Sequence, residues 1–250
     1  MNNGILFGIG VGPGDPDLIT LKAAKILKQV DVVFAATSTK NSYSLAEEIA
    51  STYIKEGTPL VRLGFPMTRG TEKLRTAWEE NARTVVYTLR KGKDAAFVTI
   101  GDPMTYSTFG YLMRTIKGIA PDTSIEIVPG ITSYHAAAAA AGEILAEAEE
   151  SFTVISGALG AKKLREVIDH TDRVVMLKVY REYKEIMDVL DQLDLLMGSV
   201  LVCGCGLDRE RIVRNLEDGI DSAPPYLSLL LIAKRGCRLP ESLSEKAFAR

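Results

Sequence analysis

Apolar and polar positions along this chain alternate between two periods. Short runs rich in Ile, Leu, Val and Phe read as strands at Gly4–Gly10, Asp31–Ala36, Leu60–Leu63, Asp94–Ile100 and Ile125–Val128. They are nearly continuous in apolar residues, as strands covered on both faces require. Helical patterns run between them. One covers about Leu18–Gln29, with Asp17 placed as its cap and Leu18, Leu21, Ala24, Ile26 and Leu27 on its apolar face. Another covers Ser44–Lys55, and a long one starts at Thr71 and carries Leu74, Trp78, Ala82, Val85, Val86 and Leu89. Such steady alternation predicts a parallel sheet built with right-handed crossovers.

An alanine-rich helix is expected from Tyr134 to Ala141, and beyond Glu150 the pattern changes. Strands are expected at Phe152–Ser156, Arg173–Val179, Val200–Cys203 and Leu227–Ala233, with helices near 161–169 and 182–193. The short connections around Arg209–Val213 suit antiparallel pairing. A turn-rich break at Lys117–Ser124 separates the halves. The expectation is an α/β chain of two α/β domains, residues 1–120 with a parallel sheet and residues 121–250 with a mixed one.

Composition narrows the function classes. Thirty Lys and Arg against 32 Asp and Glu leave a formal charge of −2, which argues against a nucleic-acid binder working by bulk attraction to phosphates. With 46% hydrophobic and 25% charged residues the chain has the profile of a globular protein with a core. No apolar run approaches the ~18 residues of a membrane span, and Met1-Asn2-Asn3-Gly4 does not open a secretory signal. The 3 cysteines, Cys203, Cys205 and Cys237, are odd in number and too few for a disulfide framework. Reduced thiols and a cytoplasmic location are expected.

Three strand-to-loop transitions are dense in turn residues: Gly8–Asp15, Gly101–Pro103 and Pro129–Ser133. Ligands of parallel α/β sheets bind outside the carboxyl ends of the strands, where glycine lets backbone approach closely and proline stiffens the turn. The first loop is not a dinucleotide fingerprint. Counted from Gly8 and Gly10 the third glycine position is Pro13, and from Gly10 and Gly12 it is Asp15. It also lacks the Gly-Lys-Ser/Thr of a P-loop, and Asp15 and Asp17 would repel a phosphate. The 2 histidines, His135 and His170, lack metal-ligand spacing, and Cys203-x-Cys205 lacks the second pair of a zinc site. No protein-bound metal is expected.

The run Gly10-Val11-Gly12-Pro13-Gly14-Asp15-Pro16-Asp17-Leu18-Ile19-Thr20-Leu21-Lys22-Ala23 resembles the opening signature of the tetrapyrrole (corrin/porphyrin) methylases. Gly101-Asp102-Pro103 and Val128-Pro129-Gly130-Ile131-Thr132-Ser133, followed by the alanine-rich helix, resemble the second and third signatures in the same order. This resemblance covers essentially the whole chain. It implies an S-adenosylmethionine-dependent methyltransferase with its active site in the cleft between two α/β domains, usually a homodimer. Carried over by motif, the cofactor and its spent product S-adenosylhomocysteine would meet Ile100, Gly101, Asp102, Thr105, Thr132 and Ser133. The second domain would add Lys178, Tyr226, Leu227 and Ser228. Pro13, Gly14 and Asp15 would lie on the substrate side. The implied partner is a tetrapyrrole, with no nucleic acid and no membrane.

Members that methylate uroporphyrinogen carry Tyr-Asp-Arg-Leu after the second strand, with its Asp as proton acceptor. Here the strand runs Asp31-Val32-Val33-Phe34-Ala35-Ala36-Thr37-Ser38, so Ala36 stands where the acid would be and that role does not transfer. Ala36–Glu47 and Phe65-Pro66-Met67-Thr68 instead resemble the branch that methylates precorrin-2, or its cobalt complex, at C-20 in cobalamin synthesis. After methylation a proton must leave C-20, and water, Tyr106, His135 or a substrate carboxylate are its candidate acceptors. Arg62, Met67 and Arg69 are expected to meet the substrate, the arginines through its carboxylates. Methylation of a different ring carbon, and a non-catalytic sensor that binds S-adenosylmethionine, remain open alternatives.

Overall fold

The computed structural model describes residues 3–38, 44–66, 68, 70–216 and 223–234. The chain divides into two compact units, the first ending at Ser133 and the second beginning at Tyr134. This differs from a division at 120/121, because the strand after that break hydrogen-bonds into the first sheet.

Among the described residues the first unit holds five strands: β1 (Leu6–Gly10), β2 (Val32–Ser38), β3 (Leu60–Phe65), β4 (Ala95–Thr99) and β5 (Ile125–Val128). Their order is β3-β2-β4-β1-β5, and every pairing is parallel. Successive side chains on a strand point to opposite faces, and both faces are covered. Val32, Phe34, Ala95 and Phe97 pack with Ala82, Val85, Leu89, Phe109, Leu112 and Ile116. These come from α3 (Thr71–Arg90) and α4 (Phe109–Ile119). Val33, Ala35, Ala96 and Val98 pack on the other face with Ala23, Leu27, Ala46 and Ile49, from α1 (Leu21–Leu27) and α2 (Leu45–Ser51). Strands with apolar partners on both sides explain the unbroken apolar runs.

The start of α1 differs from expectation. Residues Pro16–Leu18 form a separate 3-10 turn, where the Asp15 carboxylate accepts the Asp17 N–H at 2.9 Å. The helix begins only at Leu21, where Thr20 Oγ1 accepts the Ala23 N–H at 3.2 Å. Thr20, rather than Asp17, is therefore the cap. A proline at the first position of the short turn and an acceptor before it split one apolar pattern into two pieces.

The second unit contains α5 (Ser133–Ala141), β6 (Phe152–Ser156), α6 (Lys162–Val167), β7 (Arg173–Leu177), α7 (Tyr183–Gln192), β8 (Ser199–Cys203), β9 (Arg211–Val213) and β10 (Ser228–Ala233). Only the first residue of α5 belongs to the first unit. The sheet order is β6-β7-β10-β8-β9. Strands β6 and β7 are parallel, while β10 runs antiparallel to β7 and β8 and β9 antiparallel to β8. This is the mixed sheet the sequence implied. Among the described residues no helix is long and apolar enough to cross a membrane.

Candidate active site

Three loops leave the carboxyl ends of β4, β1 and β5, which are neighbours in the first sheet. They meet through glycine. A Cβ on Gly10 would lie 2.4 Å from the Gly101 carbonyl oxygen and 2.7 Å from the Gly130 nitrogen. One on Gly130 would lie 2.1 Å from that same oxygen. No side chain fits at either position, so the loops after β4 and β5 touch across the end of β1. Gly12 and Gly101 exchange two backbone hydrogen bonds of 3.4 and 2.7 Å, which fastens the β1 loop to the β4 loop. Gly101 has φ +68° and Gly12 φ +85°, conformations that favour glycine. The exposed loop residues Pro129 and Ile131 flank this junction on the chain.

The loop after β4 is ordered from within. The Oδ1 atom of Asp102 accepts the Met104 N–H at 2.8 Å and lies 3.5 Å from the Thr105 hydroxyl oxygen, while Oδ2 accepts the Gly130 N–H at 3.1 Å. The Thr99 and Ser107 hydroxyls pair at 2.9 Å, and Ser107 Oγ accepts the Phe109 N–H that opens α4. Tyr106 sits in this loop at φ +51° with half its surface exposed. A non-glycine residue in that region costs energy, and such residues concentrate at functional loops.

A model of the family described as Tetrapyrrole (Corrin/Porphyrin) Methylases matches residues 6–221. The chain belongs to this family. It is 35% identical to a cobalt-precorrin-2 C(20)-methyltransferase of Salmonella typhimurium, over 93% of this chain and 98% of that protein. It is 34% identical to a probable cobalt-precorrin-2 C(20)-methyltransferase of Methanocaldococcus jannaschii, over 92% of this chain and 96% of that one. Among solved structures it resembles a cobalamin biosynthetic enzyme, cobalt precorrin-4 methyltransferase, with TM-score 0.72 and 29% identity over 92% of this chain and 94% of that chain.

Within this family member the structure gathers Gly101, Asp102, Thr105, Thr132 and Ser133 at the loop junction. A Cβ on Gly101 would face Ile131 O, Ser133 N and Thr132 Cα, all at 3.9 Å, so the two motifs flank one small space. Ile100 is half-buried against the core face formed with α1 and α2. Pro13 and Gly14 are buried beside the Gly12–Gly101 bridge, while Asp15 is occupied with the Asp17 N–H. His135 is exposed, its ring 4.7 Å from that of Tyr134.

In the second unit Lys178, Tyr226, Leu227 and Ser228 come together, because β10 starts beside the end of β7. Lys178 is exposed with φ +61°. The Gly204 N–H donates to Leu227 O at 2.7 Å, and the Ser228 hydroxyl donates to Pro225 O at 2.8 Å. Sequence reasoning missed Tyr180 and Arg181 at this place. Tyr180 meets the Tyr226 ring edge-on at 5.1 Å and takes a hydrogen bond from Arg181 Nε at 2.8 Å. The signal was the run Lys178-Val179-Tyr180-Arg181, an aromatic and a base just past a strand end.

Arg62 does not stand open to a substrate. Its Nε and Nη2 donate to the two Glu47 carboxylate oxygens at 2.9 and 2.6 Å. That hydrogen-bonded fork raises the guanidinium pKa above its ordinary value. Met67 and Arg69 lie outside the described residues. Among the described residues no group of three or more His, Cys, Asp or Glu side chains could hold a metal ion.

Proposed function

We propose that this chain transfers a methyl group from S-adenosylmethionine to C-20 of precorrin-2 or of its cobalt complex. The observation that carries this reading is the likeness, over more than nine-tenths of both partners, to two proteins named for that reaction. The loop junction supports it, because its glycine-framed corner offers backbone groups and small hydroxyls to a compact polar ligand. When bound, S-adenosylmethionine supplies a sulfonium-activated methyl group. Ile100, Gly101, the backbone of Asp102, Thr105, Thr132 and Ser133 would hold it, and Lys178, Tyr226, Leu227 and Ser228 are proposed as further cofactor contacts. Pro13 and Gly14 belong on the substrate side.

The chain's own contribution is placement. An electron-rich meso carbon needs little covalent help, so the gain comes from orienting the reactants and excluding water, which together can contribute roughly 7–11 kcal/mol. Loops held by backbone contacts suit that task, since sub-ångström placement governs it. Tyr106 and His135 are candidates to take the C-20 proton, beside water and a substrate carboxylate. A homodimer in the cytoplasm completes the reading, and a light-scattering mass twice that of the chain tests the dimer.

Incubation with S-adenosylmethionine and precorrin-2, with and without cobalt, tests the assignment when the new methyl is located by mass spectrometry and NMR. A methyl on C-20 is expected. A methyl on another ring carbon moves the chain to a different reaction of the family, and no S-adenosylhomocysteine with any tetrapyrrole makes it a binding protein.

A further inference from the structure

We infer that Asp102 is a positioning residue whose carboxylate fastens the loop after β4 to the loop after β5, so that the proposed ligand is held by the backbone this tie places. The inference rests on the reading above for its ligand, but the tie itself is a property of the protein. Strand β1 lies between β4 and β5, so the link must cross the end of an intervening strand. The β4 loop makes that crossing with the Gly101 carbonyl, packed against Gly10 and Gly130 so closely that neither accepts a Cβ. On the β1 flank it is secured by the Gly12–Gly101 backbone bridge. On the β5 flank the Gly130 N–H donates to Asp102 Oδ2.

The two oxygens divide the work. Oδ1 turns back onto its own loop at the Met104 N–H, which fixes the carboxylate plane. Oδ2 then reaches the neighbouring loop. Charged acceptors make hydrogen bonds to backbone N–H groups roughly twice as strong as neutral ones, and a half-buried setting strengthens them further. Gly130 is two residues before Thr132 and three before Ser133, so whatever holds Gly130 also sets the spacing between Gly101 and those residues. Displacement by about 1 Å at such a place can cost roughly a hundredfold in rate.

The variant Asp102→Asn separates a tie from a ligand contact. It is isosteric and keeps an acceptor for Met104, but its NH2 faces the Gly130 N–H, donor against donor. Calorimetry would compare S-adenosylmethionine, S-adenosylhomocysteine and 5′-methylthioadenosine, which carry respectively a sulfonium, a neutral thioether, and no amino-acid tail. A tie predicts that all three weaken by a similar factor, about tenfold, while the thermal midpoint moves by only a few degrees. It also predicts that the Gly130 amide, followed by NMR hydrogen exchange in the ligand-free chain, loses protection. Weakening confined to S-adenosylmethionine would place the carboxylate against the sulfonium, and unchanged methylthioadenosine affinity would place it against the tail amine. Either result overturns the inference, as does an unchanged Gly130 amide. If the parent chain binds none of the three, the functional reading fails, and hydrogen exchange still decides the tie.

Discussion

In the parallel sheet the strand ends are closed by backbone: Gly10, Gly101 and Gly130 approach so closely that side chains are excluded. In the mixed sheet the end formed by β7, β10 and β8 carries a backbone bond from the Gly204 N–H to Leu227 O, and side chains meet there as well. Tyr180 and Tyr226 meet edge to face, Lys178 holds a left-handed backbone without being glycine, and the Ser228 hydroxyl ties back to Pro225. A backbone junction fixes position but carries little chemical variety, and it tolerates almost no substitution. A side-chain junction can change with the ligand it serves. The same division recurs wherever a rigid scaffold positions adaptable contacts.

The largest effect expected from this contrast is at Gly130. In Gly130→Ala the new methyl meets a carbonyl of the neighbouring loop, which can retreat only by opening the junction. Loss of about 3 kcal/mol in urea unfolding and of detectable S-adenosylhomocysteine binding should follow. A fully stable variant that still binds would show the junction to be loose, and the contrast would fail.

Next comes Lys178→Gly, where a strained non-glycine conformation is relieved. Stability should rise by about 1 kcal/mol, measured by the same unfolding, while kcat/KM for the tetrapyrrole falls. A gain in stability with unchanged activity would remove Lys178 from the site and leave its strain without a function.

A smaller effect concerns pH. Burial, followed by the charge of and hydrogen bond with Glu210, pushes the Cys205 thiol up from 9.0 to about 12. The folded state therefore favours the neutral thiol. Its contribution is complete below the unfolded thiol's value and is lost as pH rises through the window between about 9 and 12. The urea midpoint of Cys205→Ala should fall less steeply than the parent's across that window. Parallel slopes would show the thiol to be uncoupled from folding.

The smallest effect is expected at Arg62. Its pair with Glu47 is solvent-facing, and such pairs add little to stability, so Arg62→Gln should leave the unfolding midpoint unchanged. A raised KM for the tetrapyrrole, with KM for S-adenosylmethionine constant, would show that substrate carboxylates take the fork from Glu47.

These differences track what was legible in the sequence. The three loops stood out because turns that pack backbone on backbone must be written in glycine and proline. The strands of the first sheet stood out because burial on both faces leaves no polar gaps. The helix α4 went unread, although Phe109, Leu112 and Ile116 mark its buried face, because Gly110 and Gly118 interrupt it with poor helix formers. The cap of α1 was misplaced since Asp15, Asp17 and Thr20 all suit capping, and only backbone geometry chooses among them. Arg62 looked available because its partner lies 15 residues away on another element. In the second unit Lys178, Tyr226, Leu227 and Ser228 came from family resemblance alone, for nothing in a side-chain junction repeats a recognisable spacing.

Strand β5 has four residues and, among the described residues, a single neighbouring strand, and its middle residues Glu126 and Ile127 are exposed. Yet it carries the third loop of the junction. A short ribbon at the margin of a sheet is among the first pieces to peel away, well before the interior strands give. The third loop of the junction is thus carried by the shortest strand of the sheet, so its place depends on the packing of Gly130 and on the Asp102 carboxylate more than on the ladder itself.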